Sequence, residues 1–566
     1  MDTTSFTALA ELLSRENLLC EATPQPTSQT SIASGAQPTS PVAAMPQQVG
    51  ATPQAAAAPQ TTATLAISGA ACDSRVVALG NVFICKGAAF KPAFLTRALE
   101  AGASCYLCDQ TWADELLHVA PTTARLVVND IRKAMAIVSA AAWGHPDTDL
   151  RIAGMTGTKG KSTVAYMLRS IADKGEPYAH ASIMGSIETY DGIEREESHN
   201  TTPEAPDLWR HLAQAKATGH DPMIMEISSQ ALKYERTLGL HVDVVGWLNI
   251  GRDHISPQEH KNFEDYFTSK LKIFELSDTA VVNLDTDHLD RVLDAARKQH
   301  IRKLVTLSAR GGAASNASTN TDVSNPPADI WAENIRVEYD TVRFCCHTPQ
   351  WTDTILLSMP GVFNVENALC AIGMAQQLGY NQKEICAGLA RCHVPGRMEL
   401  SSASTLHIIG LVDYAHNQLS FQKFFSSVKQ SFPQHKIIAV FGAPGNKAYE
   451  RRQELPQEAS RWADMLIYTS EDPWHESAEK ICQDMIAATP AGAHYEVIVD
   501  RTKAIYRAVE MAQTWHREGS DSIICMLAKG DEVESHEGDA FVPMQPDGDV
   551  FAQAMGTYAQ RADAQA

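Results

Sequence analysis

A chain of 566 residues holds three or four domains at about 150 residues each. Its 44% hydrophobic and 20% charged residues exclude wholesale disorder and collagen-like or coiled-coil architecture. Lysine and arginine number 47 against 67 aspartates and glutamates, a net charge of −20. No basic face for a nucleic acid is implied, although a nucleotide, whose cations need only be local, stays open.

The N-terminus (MDTTSFTALAELLSRENLL) has neither the basic start nor the apolar core of a secretion signal. A short helix is expected over 6–19. Residues 23–63 are almost entirely Ala, Pro, Gln, Thr and Ser; such a stretch cannot offset its ordering entropy and reads as a disordered spacer. A small α/β block follows over 65–148. Its Cys105 and Cys108 form a CxxC with no second pair nearby to complete a zinc site. The 12 cysteines are scattered, mostly in apolar runs such as Ile523-Ile524-Cys525-Met526. They read as small core residues in a reducing cytoplasm.

Short β-rich runs then alternate with helical patterns: 151–155, 223–227, 244–250, 280–284 and 303–307, resuming at 437–441, 465–469 and 523–527. This rhythm predicts parallel α/β layers in two further blocks, 149–397 and 398–566. A polar stretch at 311–327 reads as a surface insertion. No run reaches the about 18 apolar residues of a membrane-spanning helix.

The sharpest local signal is Gly154-Met-Thr-Gly157-Thr158-Lys159-Gly160-Lys161-Ser162-Thr163, between an apolar run and a helical pattern. A strand, a glycine loop and a helix start form the context of a phosphate cradle. Lys161 is placed for the β/γ oxygens and Ser162 for Mg²⁺. The common spacing GxxxxGK[ST] is missed by one residue, because Met155 stands where the first glycine belongs.

This displaced loop resembles the ATP loop of the Mur ligases, which build the peptide of cell-wall precursors. The resemblance runs from about residue 65 to the C-terminus and is to the MurE type, which adds the third amino acid to UDP-N-acetylmuramoyl-L-alanyl-D-glutamate. It implies an α/β fold of three domains. The first, 64–148 with the 1–22 helix, would bind the UDP-muramoyl end. The second, 149–397, would carry a P-loop ATPase-like parallel sheet. The third, 398–566, would be Rossmann-like and bind the amino acid. ATP and Mg²⁺ are the implied cofactors. The substrates would be the muramoyl dipeptide and a diamino acid, and the chain is expected to be a cytoplasmic monomer outside the membrane.

The resemblance also implies roles for residues. Gly157 to Thr163, Asn367 of Asn364-Val-Glu-Asn367, Arg397 of Pro395-Gly-Arg397, and Asp413 and His416 of Asp413-Tyr414-Ala-His416 would meet ATP. Ser74 of Asp73-Ser74-Arg75 would contact the uridine end. Asn200, Thr201 and Thr202 of Asn-Thr-Thr-Pro, with Ser228 and Arg236, would hold the muramoyl dipeptide. Ser162, Glu226, His254 and Lys270 would hold metal, Lys270 as N6-carboxylysine, since a bare lysine beside two Mg²⁺ would be repelled. Lys161, Glu226, His254 and Lys270 are the implied catalytic set. The third domain would have to close onto the second.

The chain departs from the family where the amino acid should bind. Pro444-Gly445-Asn446-Lys447-Ala448 replaces a Gly-Gly-Asp-Arg-Asp stretch, while Arg452 matches the arginine that grips the α-carboxylate. Glu471-Asp472-Pro473-Trp474 replaces the Asp-Asn-Pro-Arg of diaminopimelate enzymes, and Ala528-Lys529-Gly530-Asp531-Glu532 replaces Gly-Lys-Gly-His-Glu, keeping Glu532 while Asp531 adds another acid. A tryptophan cannot supply the lost charged fork. Glu471, Asp472 and Glu532 suit a distal ammonium, so L-lysine is expected. L-ornithine, meso-diaminopimelate, a folylpolyglutamate synthase-like activity and a catalytically inactive nucleotide-binding paralogue remain as alternatives.

Overall fold

The computed structural model describes residues 4–24, 65–198, 200–256, 259–310, 328–338, 340–401, 403–405 and 407–563. Apart from Thr23 and Pro24, the expected 23–63 spacer lies outside these residues, as does the 311–327 insertion. The chain forms two compact units, Met1–His145 with Ala205–Arg210, and Pro146–Glu204 with His211–Ala566.

The first unit is built on a five-stranded sheet. Gly69–Ala71, Asn81–Cys85, Cys105–Asp109 and Ala124–Val128 run parallel, and Leu19–Thr23 is an antiparallel edge. That edge corrects the helix expected over 6–19. The helix is Phe6–Arg15; Asn17 takes a left-handed turn (φ 56°), and the chain then leaves as a strand. Cys105 and Cys108 are buried. Three residues apart on a strand they point to opposite faces, and burial pushes both thiols up to about 12.

The second unit carries two sheets. In the larger, Ser182–Met184, Met223–Glu226, Ile152–Thr156, Val244–Trp247, Thr279–Asn283, Lys303–Ser308 and Ile330–Glu338 lie parallel in that order. Antiparallel strands extend it at both edges: Glu188–Tyr190 and Arg195–Glu197 on one side, Thr341–His347 and Thr352–Leu357 on the other. The sheet is therefore mixed rather than purely parallel. The inner strands are nearly all buried because helices such as Lys161–Ala172 and Asn364–Gln377 pack on them.

In the smaller sheet Ile408–Asp413, Ser522–Leu527, Lys436–Phe441, Met465–Tyr468 and Tyr495–Val497 run parallel, with Glu399–Leu400 antiparallel at the edge. Side chains alternate between two separate cores. Ile437, Ala439 and Phe441 join Phe421, Phe425 and Leu455 on one face; Ile438 and Val440 join Ile505, Val509 and Phe551 on the other. Helices cover both faces, which makes this a doubly wound, Rossmann-like layer. Among the described residues no helix is long and apolar enough to cross a membrane.

Candidate active site

The phosphate loop leaves the strand Ile152–Thr156 and enters the helix Lys161–Ala172. Gly160 caps that helix at φ 92°, where a Cβ would lie 2.3 Å from Asn367 Oδ1. A Cβ on Gly157 would lie 2.8 Å from Leu248. Only glycine fits this backbone against its neighbours. The loop is zipped to the segment after Val244–Trp247: Lys159 N donates to Asn249 Oδ1 (2.9 Å), and Asn249 Nδ2 donates back to the Lys159 carbonyl (3.0 Å). Thr158 Oγ1 accepts from Gly251 N (2.9 Å) and bonds the Tyr266 hydroxyl (3.0 Å). Ser162 and Thr163 are buried in the first helical turn.

Strand order sets the acids beside this loop. Met223–Glu226 is one neighbour of the loop's strand, with Glu226 opposite Met155, and Val244–Trp247 is the other. Glu226 is 1% exposed. Its Oε1 accepts from Ser186 N (2.8 Å) and its Oε2 from Ser186 Oγ (3.1 Å). Asp253 accepts from Asn417 Nδ2 (2.9 Å) and pairs with Lys159 (3.3 Å), so the two sheets of this unit meet at the loop. Burial works against its charge, but Lys159, His254, His416 and Arg451 hold it far below the usual carboxylate range. His254 sits at φ 55° with Nδ1 on Glu259 Oε1 (2.9 Å).

Two lysines converge on one carbonyl. Lys161 Nζ donates to Gly157 O (3.1 Å), and Lys270 Nζ donates to the same oxygen (2.9 Å). Lys270 is 2% exposed. Burial and the neighbouring Lys161 push its ammonium far below the ordinary lysine range, with Asp253 opposing. Burial also lowers Lys161, against Glu226 and Asp253.

The expected dipeptide contacts form one cluster. Thr202 Oγ1 donates to the Glu226 carbonyl (2.8 Å) and accepts from Ser228 N (3.0 Å), and Arg236 Nη1 donates to the Thr202 carbonyl (2.9 Å). Arg236 is also paired with Glu204 (2.8 Å), and the Ser228 side chain caps the helix Ser229–Lys233. Thr201 accepts from Ser186 Oγ (3.0 Å), whereas Asn200 is exposed. Ser74 belongs to the first unit, in the turn after Gly69–Ala71 where Asp73 pairs with Arg75.

On the smaller sheet, Asp413 accepts from Met398 N and Ala415 N (2.7 Å each); burial raises its carboxyl despite Arg397. Arg397 lies over the Tyr414 ring, 4.3 Å from its centroid. Burial, Lys159 and Arg451 hold His416 neutral.

The residues expected to meet the amino acid are not equally free. Arg452 does not present a free fork. It is buried, its Nη atoms donating to both Glu476 oxygens (3.0 and 2.8 Å) and to Asp484 (2.9 Å), and Glu476 is held down at about 2 by that pairing. Its neighbour Arg451 is the one whose charge is felt by Glu471, Asp253, Lys159 and His416. The three acids are also unequal. Lys529 donates to Asp472 (2.8 Å) and pairs with Glu532, so these two acids share one cation. Glu471 keeps a buried Oε2 with no hydrogen-bond partner among the described residues, and burial pushes its carboxyl up to about 7.

Asp253, Asn249, Ser186, Tyr266 and Arg451 stand in this site without a role assigned from the sequence. The first two stand inside the Asn-Ile-Gly-Arg-Asp-His run; Ser186 carries no signal of its own.

Family models for the Mur ligase middle domain and the Mur ligase glutamate ligase domain match residues 155–375 and 396–530. A UDP-N-acetylmuramyl-tripeptide synthetase of Lactobacillus delbrueckii subsp. bulgaricus is 34% identical over 470 residues, 81% of this chain and 87% of that protein. The chain belongs to the Mur ligase family. The UDP-N-acetylmuramoyl-L-alanyl-D-glutamate–L-lysine ligase of Enterococcus faecalis is 33% identical over 81% of this Mur ligase and 86% of its own length. The fold is shared with solved structures. A UDP-N-acetylmuramoyl-L-alanyl-D-glutamate–2,6-diaminopimelate ligase has TM-score 0.57 at 24% identity, covering 87% of this chain and 96% of that one. MurF from Acinetobacter baumannii has TM-score 0.59 at 19% identity, covering 88% and 94%.

Proposed function

We infer that this Mur ligase joins the third amino acid, L-lysine, to UDP-N-acetylmuramoyl-L-alanyl-D-glutamate at the expense of ATP. One observation carries the choice of amino acid: a buried, unpartnered Glu471 carboxylate oxygen in the third domain. A distal ammonium would satisfy it, and no free arginine fork in place of Trp474 waits for a distal carboxylate. The Enterococcus faecalis relative, named for L-lysine, supports the same reading.

The residues fit a nucleotide and its metal. The loop is shaped so that a Cβ at Gly157 or Gly160 would clash, and the buried Ser162 hydroxyl and Glu226 carboxylate supply hard oxygen donors near Lys161. Mg²⁺ bound there would neutralise charge on the phosphates. Lys161 opposes the repulsion between an incoming carboxylate and a triphosphate. His254, with Nδ1 fixed by Glu259, is left Nε2 for a second metal. Lys270 is a buried amine beside another lysine, its charged form disfavoured by burial, and carbamylation would make it an anion suited to that place.

The γ-phosphoryl group passes to the D-glutamyl γ-carboxylate, giving an acyl phosphate. The lysine α-amine attacks its carbonyl carbon, and phosphate leaves. Arg451, rather than Arg452, would meet the amino acid's α-carboxylate. The test is phosphate release with UDP-muramoyl dipeptide, ATP and Mg²⁺ against L-lysine, L-ornithine and meso-diaminopimelate separately. Fastest turnover with L-lysine is expected; fastest turnover with meso-diaminopimelate would reject the assignment.

A further inference from the structure

We propose that Glu333, Cys345 and His347 form a zinc site on the solvent-facing side of the antiparallel end of the larger sheet. The register builds it. Glu333 stands opposite Cys345 and Trp331 opposite His347, while Thr352 faces His347 from the other side. Strand alternation turns Phe344 and Cys346 into the core, where both are buried, and Cys345 and His347 outward on one face.

The three donor atoms already converge. His347 Nε2 lies 3.0 Å from Glu333 Oε1 and 3.5 Å from Cys345 Sγ, and all three lie within 4.8 Å of one another. A tetrahedral zinc ion with bonds of about 2.0–2.3 Å separates its ligands by about 3.3–3.7 Å, so the triad needs only small side-chain adjustments.

The imidazole is also pre-oriented. Trp331 stacks on it at 3.8 Å and 7°. Its Nδ1 lies 3.2 Å from Thr352 Oγ1, the outer-shell bond that leaves Nε2 for a metal. A simple imidazole–carboxylate pair needs neither the thiol on the same nitrogen nor the second bond. One sulfur, one nitrogen and one oxygen suit zinc rather than magnesium, and the outward face leaves the fourth position to water. Three strands separate Ile330–Glu338 from the phosphate-loop strand, so this site is distinct from the one above.

The test uses the full chain with Co²⁺ as the optical probe and excess Mg²⁺ to fill oxygen sites. Wild type is expected to give a sulfur-to-cobalt charge-transfer band that Zn²⁺ abolishes. The band is expected to vanish in Cys345→Ser and His347→Ala and to persist in His407→Ala, which alters a sulfur-free cluster elsewhere. Thr352→Val is expected to weaken zinc about 10-fold. Zinc should also shield Cys345 from alkylation in wild type and not in His347→Ala. No band in wild type, or a band that survives Cys345→Ser, would overturn the proposal.

Discussion

Glu471→Gln is the perturbation that separates the pocket's chemistry from its stability. Buried Glu471 faces Arg451, Asp472, Lys529 and Lys447, with Arg501 and Tyr414 also in its field. Burial outweighs the cations and holds the carboxyl at about 7 instead of 4.5. That difference is worth about 3.4 kcal/mol, at about 1.4 kcal/mol per pH unit. The folded protein keeps this proton where the unfolded chain has lost it, so stability falls as pH rises from about 4.5 to 7 and is level above. Glutamine removes the titration. Relative to wild type the variant should therefore gain about 2–3 kcal/mol between pH 5 and pH 8, read from denaturant midpoints across that range. Catalysis should move the other way. A distal ammonium needs the ionised carboxylate, so wild-type KM for L-lysine should fall as pH rises through about 7. In Glu471→Gln it should be raised by about 1.5–3 kcal/mol, the worth of a charge-assisted hydrogen bond, and lose that pH dependence. A variant with wild-type KM and an unchanged pH profile would refute the ammonium assignment.

Lys161→Ala should lower turnover by at least about 10²–10³-fold with an unchanged melting temperature, because the ammonium's hydrogen bond in the free protein is to Gly157 O. A ¹³C-bicarbonate label should appear as a carbamate signal in wild type and be absent from an inactive Lys270→Arg. Arg452→Ala should cost about 2–4 kcal/mol of stability, since it leaves Glu476 and Asp484 unpaired; this figure is reduced for the partial exposure of Asp484, and urea unfolding measures it. Arg451→Ala should leave stability within about 0.5 kcal/mol and raise KM for the amino acid.

What the sequence makes legible follows from how local each determinant is. The phosphate loop is written in consecutive residues, and its glycine at φ 92° is a backbone demand that shows as a residue type. The parallel strands are legible because burial on both faces leaves continuous apolar runs. The strand Ile330–Glu338 and its two antiparallel neighbours bury one face only, so they alternate and present no continuous apolar run. The strand Leu19–Thr23 is hidden because the helical pattern runs on to Leu19 across the short turn at Asn17. The proposed amino-acid pocket is the least legible part. Adjacent letters, Arg451 and Arg452, point to opposite fates, and three acids of one composition divide according to where Lys529 lies. A motif tells which charges arrive at a site. Which of them remain free depends on pairings between residues 24 and 57 positions apart, Arg452 with Glu476 and Lys529 with Asp472. On the proposed reading, specificity would rest on Glu471, whose buried Oε2 has no hydrogen-bond partner among the described residues, a property that no spacing rule records.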